Sequence, residues 1–176
     1  MSNQRGVIRR AEDNRVVTIG LNSAEHSFIK HMVNSIKKRS IVTAASVQAH
    51  FLVKNTFAAR PDIPNIMVSL KCPVNERKIK VPCRGLDCTH FLCFDAEAYL
   101  LKSMCENRWT CPLCHKRTVF EDLFIDGYFQ HVLEMLKQFD FEIKVHRDGA
   151  WSLPNREYDK ISYLCNSNIS KLSHIR

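Results

Sequence analysis

The stretch VSLKCPVNERKIKVPCRGLDCTHFLCFDAEAYL, residues 68–100, and the stretch NRWTCPLC, residues 107–114, decide how this chain is read. They set Cys88-x-His90 and Cys111-x-x-Cys114 on either side of a predicted helix. Three thiols and one imidazole make a full tetrahedral set for Zn²⁺, with no position left over for water or substrate. In Cys-Pro-Leu-Cys, Pro112 stiffens a tight knuckle and the two-residue gap lets both thiolates face one ion. Cys88-Thr89-His90 supplies the other half from a more extended segment. A closed site of this kind is structural and holds a fold together. His90 stands two residues from Cys88, whereas His26, His31, His50, His131, His146 and His174 have no cysteine at ligand spacing. His115, beside Cys114, would compete with His90 for the same ion.

Composition sets the context. At 176 residues the chain has room for one ordinary domain or two small ones. Residues 1–14 are polar and charged with no apolar run behind them, so no signal peptide is expected. No stretch approaches the apolar length of a membrane span. The x2 and x1 spacings suit metal better than disulfides, which places the chain in a reducing compartment, nuclear or cytosolic. The net charge of +8 is uneven: residues 1–68 hold ten Lys or Arg against four Asp or Glu, and residues 69–176 hold sixteen against fourteen. A basic first third suits an acidic partner, nucleic acid or simply a solvated helix face, and direct nucleic-acid binding stays open. Lys37-Lys38-Arg39 is a short nuclear-import-like run.

Pattern divides the chain further. A basic, flexible N-terminus is expected over 1–14 and a helical segment over 15–65, with a strand at Arg15–Leu21. Asn22 and Glu25 form a capping-box pattern ahead of a helix to about Arg39, whose inner face is Phe28, Ile29, Met32, Val33 and Ile36. A second helix is expected from Thr43 to about Asn55. The zinc domain follows over 66–139. Ile66–Cys72 and Lys78–Val81 read as a hairpin, then a helix runs from Asp95 to Cys105 and a longer one from Asp126 to Phe139. A hairpin of Phe141–Val145 and Ala150–Leu153 across Asp148-Gly149 forms an extension over 140–155. A loose tail is expected over 156–176.

The order C-x-H, Cys93, C-x-x-C resembles the RING cross-brace, but a full RING needs eight ligands. Cys72 lacks a cysteine partner across a two-residue gap, and the matching partner position for Cys93 is Ala96. Cys72 and Cys93 are therefore expected to be buried small apolar residues filling a vacated second site. A non-standard site from Cys72, Cys83, Cys93 and Cys105 remains an alternative, and Cys165 reads as an incidental thiol.

With EDLFIDGYF at 121–129, this run resembles the SP-RING, or MIZ-type zinc finger, of the PIAS/Siz SUMO ligases. The landmarks are V-S-L-x-C-P, P-C-R, C-x-H, C-F-D, W-x-C-P-x-C and L-x-I-D-G. FEIKVHRDGAWSLP, 141–154, resembles the segment after that domain, and 15–68 resembles the last part of the family's PINIT domain. The family's DNA-binding SAP domain and the first part of PINIT are expected to be absent, and no SUMO-interacting motif is expected at Ile161–Leu164. The resemblance implies an α+β, RING/U-box-like fold with a single structural zinc, preceded by a partial PINIT-like segment and followed by a short extension.

It also implies a nuclear SUMO E3 ligase, a SUMO-protein transferase that binds a SUMO-charged E2 and promotes transfer to substrate lysines without a covalent E3 intermediate. The implied partners are the E2, SUMO and nuclear protein substrates such as transcription factors, with no membrane. Position in the pattern implies E2 contacts from Val74 on one loop and from Pro112 and Leu113 on the other. Trp109 is either a wall of the E2 groove or a core residue. Lys116 and Arg117 either touch E2 and SUMO or neutralise the thiolate-rich site. The alternative reading is a non-catalytic zinc-binding adaptor for transcription or chromatin proteins.

Overall fold

The computed structural model describes residues 6–9, 16–19, 22–39 and 41–154, the first two segments as backbone alone. The strand expected at Arg15–Leu21 is present as β2, Val16–Ile19. Its partner is β1, Gly6–Arg9, antiparallel with Gly6 opposite Ile19. Residues 6–9 are thus paired, where a flexible N-terminus was expected; a lone strand would leave its amides without partners. The rest of 1–14, and the tail expected over 156–176, lie outside the described residues.

Helix α1, Ser23–Arg39, begins with the capping box that its sequence announces. Glu25 N–H donates to Asn22 Oδ1 at 2.8 Å, and Asn22 N–H donates to Glu25 Oε2 at 3.0 Å. Ile29, Val33 and Ile36 are buried along one stripe, while Phe28 stays 52% exposed at its margin. The last turn carries Lys37, Lys38 and Arg39, favourable charge for the helix dipole. Arg39 also reaches across the fold, donating to the carbonyls of Phe120 at 2.7 Å and Leu123 at 3.1 Å.

Strand β3, Ile41–Val42, follows, and Thr43 caps the short helix α2, Ala44–Val47. The winding then widens over Gln48–Phe57 to i→i−5 bonds, as in Ala58 N–H to Val53 O at 3.0 Å. The single α-helix expected over 43–55 is therefore a short α turn feeding a π-helical one. This winding buries Phe51, Leu52 and Phe57 together.

Two sheets carry the remainder. One has the order β3-β7-β5-β6, with β5 at Pro82–Gly85, β6 at Phe94–Asp95 and β7 at Leu123–Asp126. Strands β5 and β7 pair antiparallel, and β3 joins β7 in parallel with Ile41 opposite Ile125. Helix α3, Ala96–Glu106, is capped by Asp95, and helix α4, Gly127–Met135, by Asp126. The second sheet has the order β4-β8-β9, from Asn65–Ser69, Glu142–His146 and Trp151–Ser152. The hairpin expected across Asp148-Gly149 is present as β8 and β9, with Gly149 at φ 83°.

The hairpin expected between 66–72 and 78–81 is corrected. Strand β4 pairs instead with β8, Asn65 opposite His146, and only an isolated bridge joins Lys71 to Lys78. Val68 and Ile143 bury together there, a larger apolar gain than local pairing with the lysine-rich 78–80 offers. Helix α4 also stops short of the expected Phe139. Leu136 leaves helical geometry, Lys137 N–H donates to Asp140 Oδ2 at 2.9 Å, and Phe139 is 80% exposed. The local Asp140 turn outcompetes another helical turn.

One continuous core joins residues 29–57 to residues 68–151. Gly127 marks how close the two parts come: a Cβ there would lie 2.4 Å from the carbonyl oxygen of Val42. At the centre sits Arg84, fully buried. Its guanidinium donates to the carbonyls of His90 at 2.6 Å and Phe91 at 2.5 Å and pairs with the buried carboxylate of Asp126. Its plane lies 4.2 Å from the Phe51 ring centroid. Removing one partner leaves an uncompensated buried charge, so Arg84→Met or Asp126→Leu alone is expected to lower stability by about 3–5 kcal/mol. The double substitution is expected to recover part of that loss, read as urea midpoints against wild type.

Candidate metal centre

Four ligand-bearing side chains meet where two loops face each other. The ligand atoms of Cys88, His90, Cys111 and Cys114 all lie within 4.8 Å of one another. His90 Nε2 is 3.3 Å from Cys111 Sγ, and Cys114 Sγ is 3.9 Å from Cys88 Sγ. A tetrahedron with arms of about 2.3 Å to sulfur and 2.0 Å to nitrogen has edges of roughly 3.5–3.8 Å. The residues fit a four-coordinate metal ion.

Local chemistry builds each half. In the first, Cys88 N–H donates to Gly85 O at 3.1 Å, turning the chain, and Arg84 grips the carbonyls of His90 and Phe91. The His90 ring is oriented by its own loop: Nδ1 lies 2.6 Å from Leu92 O. A carbonyl only accepts, so Nδ1 carries the proton and Nε2 turns its lone pair toward the thiols. In the second half, Cys111 N–H donates to Lys116 O at 2.8 Å and His115 N–H to Cys111 O at 3.0 Å. Thr110 and Arg117 bridge beneath this turn, and His115 takes a left-handed φ of 61°. Leu113 N–H points at Cys111 Sγ at 3.4 Å, an N–H···S contact that stabilises thiolate charge.

The protonation of the thiols follows from their crowding. A hydrogen bond from Cys111, first among several causes, pulls the Cys88 pKa down to about 4, and the same bond together with burial raises that of Cys111. Lys116 Nζ donates to Asp87 O at 2.8 Å, which ties the knuckle to the loop carrying Cys88. His115 is exposed and outside the cluster.

Three further cysteines are buried outside this cluster. Cys72, Cys83 and Cys93 are buried, and burial raises all three thiol pKa values. Hydrogen bonds span the region where a RING would hold a second ion. Cys72 Sγ accepts from Asp95 N–H at 3.3 Å and Val74 N–H at 3.5 Å, and Asp95 Oδ2 accepts from the amides of Lys80 at 2.8 Å and Val81 at 3.1 Å. No second group of three or more ligand side chains gathers among the described residues.

The surface residues named from sequence fall unevenly. Val74 is 3% exposed and faces the core, so its side chain is not an outward tip; the amide bond to Cys72 Sγ turns it in. Pro112 and Leu113 are half-buried at the knuckle. Trp109 is half-buried against the core, edge-on to Tyr99 with centroids 6.3 Å apart. Arg117 is exposed, and Lys116 spends its ammonium on Asp87. Sequence reading missed Arg84 and its pairing with Asp126, although P-C-R and L-x-I-D-G hold both residues. It also missed Leu86 and Leu92, 64% and 39% exposed beside the Cys-x-His turn.

Residues 68–117 match the family model of the MIZ/SP-RING zinc finger. This stretch is a MIZ/SP-RING zinc finger. The chain is 38% identical over 117 residues to the human E3 SUMO-protein ligase PIAS2, covering 63% of this chain and 19% of that protein. It is 35% identical over 127 residues to the E3 SUMO-protein ligase pli1 of Schizosaccharomyces pombe, covering 71% of this chain and 17% of that one. The chain thus spans less than a fifth of the curated relatives' length. The crystal structure of the S. cerevisiae SUMO E3 ligase SIZ1 superposes with a TM-score of 0.65 at 19% identity, over 78% of this chain and 46% of that one. That likeness is one of fold, and it reaches well beyond the SP-RING itself.

Cobalt(II) titrated into metal-free protein is expected to give thiolate charge-transfer and tetrahedral d–d bands. Cys93→Ala, outside the cluster, should keep these bands, and Cys88→Ser should lose them.

Proposed function

We propose that this chain is the E2-engaging part of a SUMO E3 ligase, with one structural Zn²⁺ held by Cys88, His90, Cys111 and Cys114. The observation that carries the reading is the apposition of two loops around one closed donor set. Lys116, bonded to Asp87, brings the Pro112-Leu113 knuckle beside the loop bearing the exposed Leu86 and Leu92. A rigid pair of loops with apolar tips suits a partner protein surface better than a small substrate. Sequence similarity to proteins named E3 SUMO-protein ligases supports a partner from the SUMO pathway, which in this reading is an E2 carrying SUMO as a thioester.

The role of the chain in this reading is positional. Of the seven described cysteines, Cys88, Cys111 and Cys114 belong to the metal set, and Cys72, Cys83 and Cys93 are buried. Cys105 is exposed, but desolvation, Glu25 and Glu106 raise its pKa, which leaves a poor thiolate nucleophile. An acceptor lysine then attacks the E2 thioester directly, while the SP-RING holds the charged E2 in a reactive arrangement. The bound ion supplies the loop geometry, and such sets contribute roughly 10–16 kcal/mol to folding in small zinc domains.

Single-turnover discharge of a SUMO-charged E2 onto free lysine tests the reading. The zinc-loaded chain is expected to accelerate discharge, and Leu113→Ala to cut that acceleration at least about tenfold. Zinc content should stay at one ion per chain in both. No acceleration by folded, zinc-loaded wild type would shift the reading to an adaptor. Cys111→Ser is expected to abolish the cooperative melt of the zinc domain, followed by circular dichroism.

A further inference from the structure

The Cys88-Thr89-His90 half-site is held from outside the SP-RING. Asn55 Nδ2, on the π-helical winding 48–57, donates to the carbonyl of Thr89 at 2.8 Å, between the two ligands of that half. One turn back, the Phe51 ring covers the guanidinium of Arg84, which in turn grips the carbonyls of His90 and Phe91. Successive carbonyls at 89, 90 and 91 are therefore fixed by side chains belonging to, or packed by, a segment that ends before residue 68. The knuckle half needs no such help, since the Lys116 carbonyl, the Thr110–Arg117 bridge and the Cys111 carbonyl close it locally. The two halves differ in kind: one is a self-contained turn, and the other is a loop with external support.

We propose that the 48–57 segment is part of the metal centre, with Asn55 and Phe51 as positioning residues that hold the Cys-x-His half-site, so that displacing this segment loosens the ion. Residues 48–57 are anchored at several further points, including Gln48 Nε2 on Gly149 O at 3.0 Å and the Arg147 guanidinium 5.1 Å from the Phe57 ring centroid. Displacement is thus a movement of the whole segment rather than of one side chain. The inference rests on the reading that the four-residue cluster holds Zn²⁺.

The test is zinc release from the full chain to excess 4-(2-pyridylazo)resorcinol, followed by absorbance. Asn55→Ala and Asn55→Asp, neither able to donate to Thr89 O, are expected to release zinc about tenfold faster than wild type. Asn55→Gln keeps the donor and is expected to recover part of the difference. Phe51→Leu should accelerate release in the same direction. Val145→Ala, in the β4-β8-β9 sheet, serves as a control for general destabilisation and is expected to release zinc near the wild-type rate after matching for melting temperature. Wild-type release rates in both Asn55 variants, or equal acceleration in the matched Val145→Ala protein, would overturn the brace. A wild-type chain that takes up no zinc would overturn the metal reading itself, an outcome separate from either of those.

Discussion

A single guanidinium stands where β5, the cap of α4, the Cys-x-His loop and the 48–57 winding meet. Arg84 leaves β5 inside a sealed core and meets the carboxylate that caps α4, two carbonyls of the Cys-x-His loop and the face of Phe51. A charge this deep is tolerable only when its partners are fixed, and here each partner belongs to a different piece of chain. Arginine suits the post because its planar fork donates in several fixed directions at once, whereas lysine would present a point charge with no plane to cover. Its Nε finds no acceptor among the described residues, so the arrangement favours registry between segments over full satisfaction of every polar atom.

From that junction the difference between the two halves of the Cys/His cluster makes sense. The knuckle closes within eight residues, 110–117, by backbone bonds alone. The Cys-x-His loop has the Cys88 to Gly85 and His90 to Leu92 bonds of its own and otherwise takes its shape from Arg84, Asn55 and Lys116. On the other side of the domain, where a RING holds its second ion, Cys72 and Asp95 do the joining with amide hydrogen bonds. A metal tetrahedron and a hydrogen-bonded latch are thus interchangeable ways to pin two loops, provided the latch is buried enough for its bonds to outlast competition with water.

Much of this was legible in the sequence because it depends on local rules. The Asn22/Glu25 box, the Asp95 and Asp126 caps, the Asp148-Gly149 hairpin and the ligand spacing are written within a few residues of where they act. The α+β architecture followed from the ordered SP-RING landmarks. What escaped was non-local. Strand β4 passes over nearby 78–81 to pair with 142–146, and no local pattern encodes that choice. Val74 occupies a loop position that reads as an outward tip, yet the cysteine sulfur two residues before it draws the amide inward. Nothing in P-C-R reveals that Arg84 pairs with an acid 42 residues later.

The parallel pairing of β3 with β7 has a consequence for how the chain is made. Arg39, Gln48 and Phe51 find their partners 81 residues or more downstream in two of these three cases, at Phe120 and Gly149. During synthesis, α1 and the winding after it leave the ribosome long before β7 and α4 exist to receive them. Their apolar stripe of Ile29, Val33, Ile36, Phe51 and Leu52 stays uncovered through that interval, since loop closure over such distances precedes any reward in contacts. The first third of the chain can therefore bury this face only once β7 and α4 have emerged.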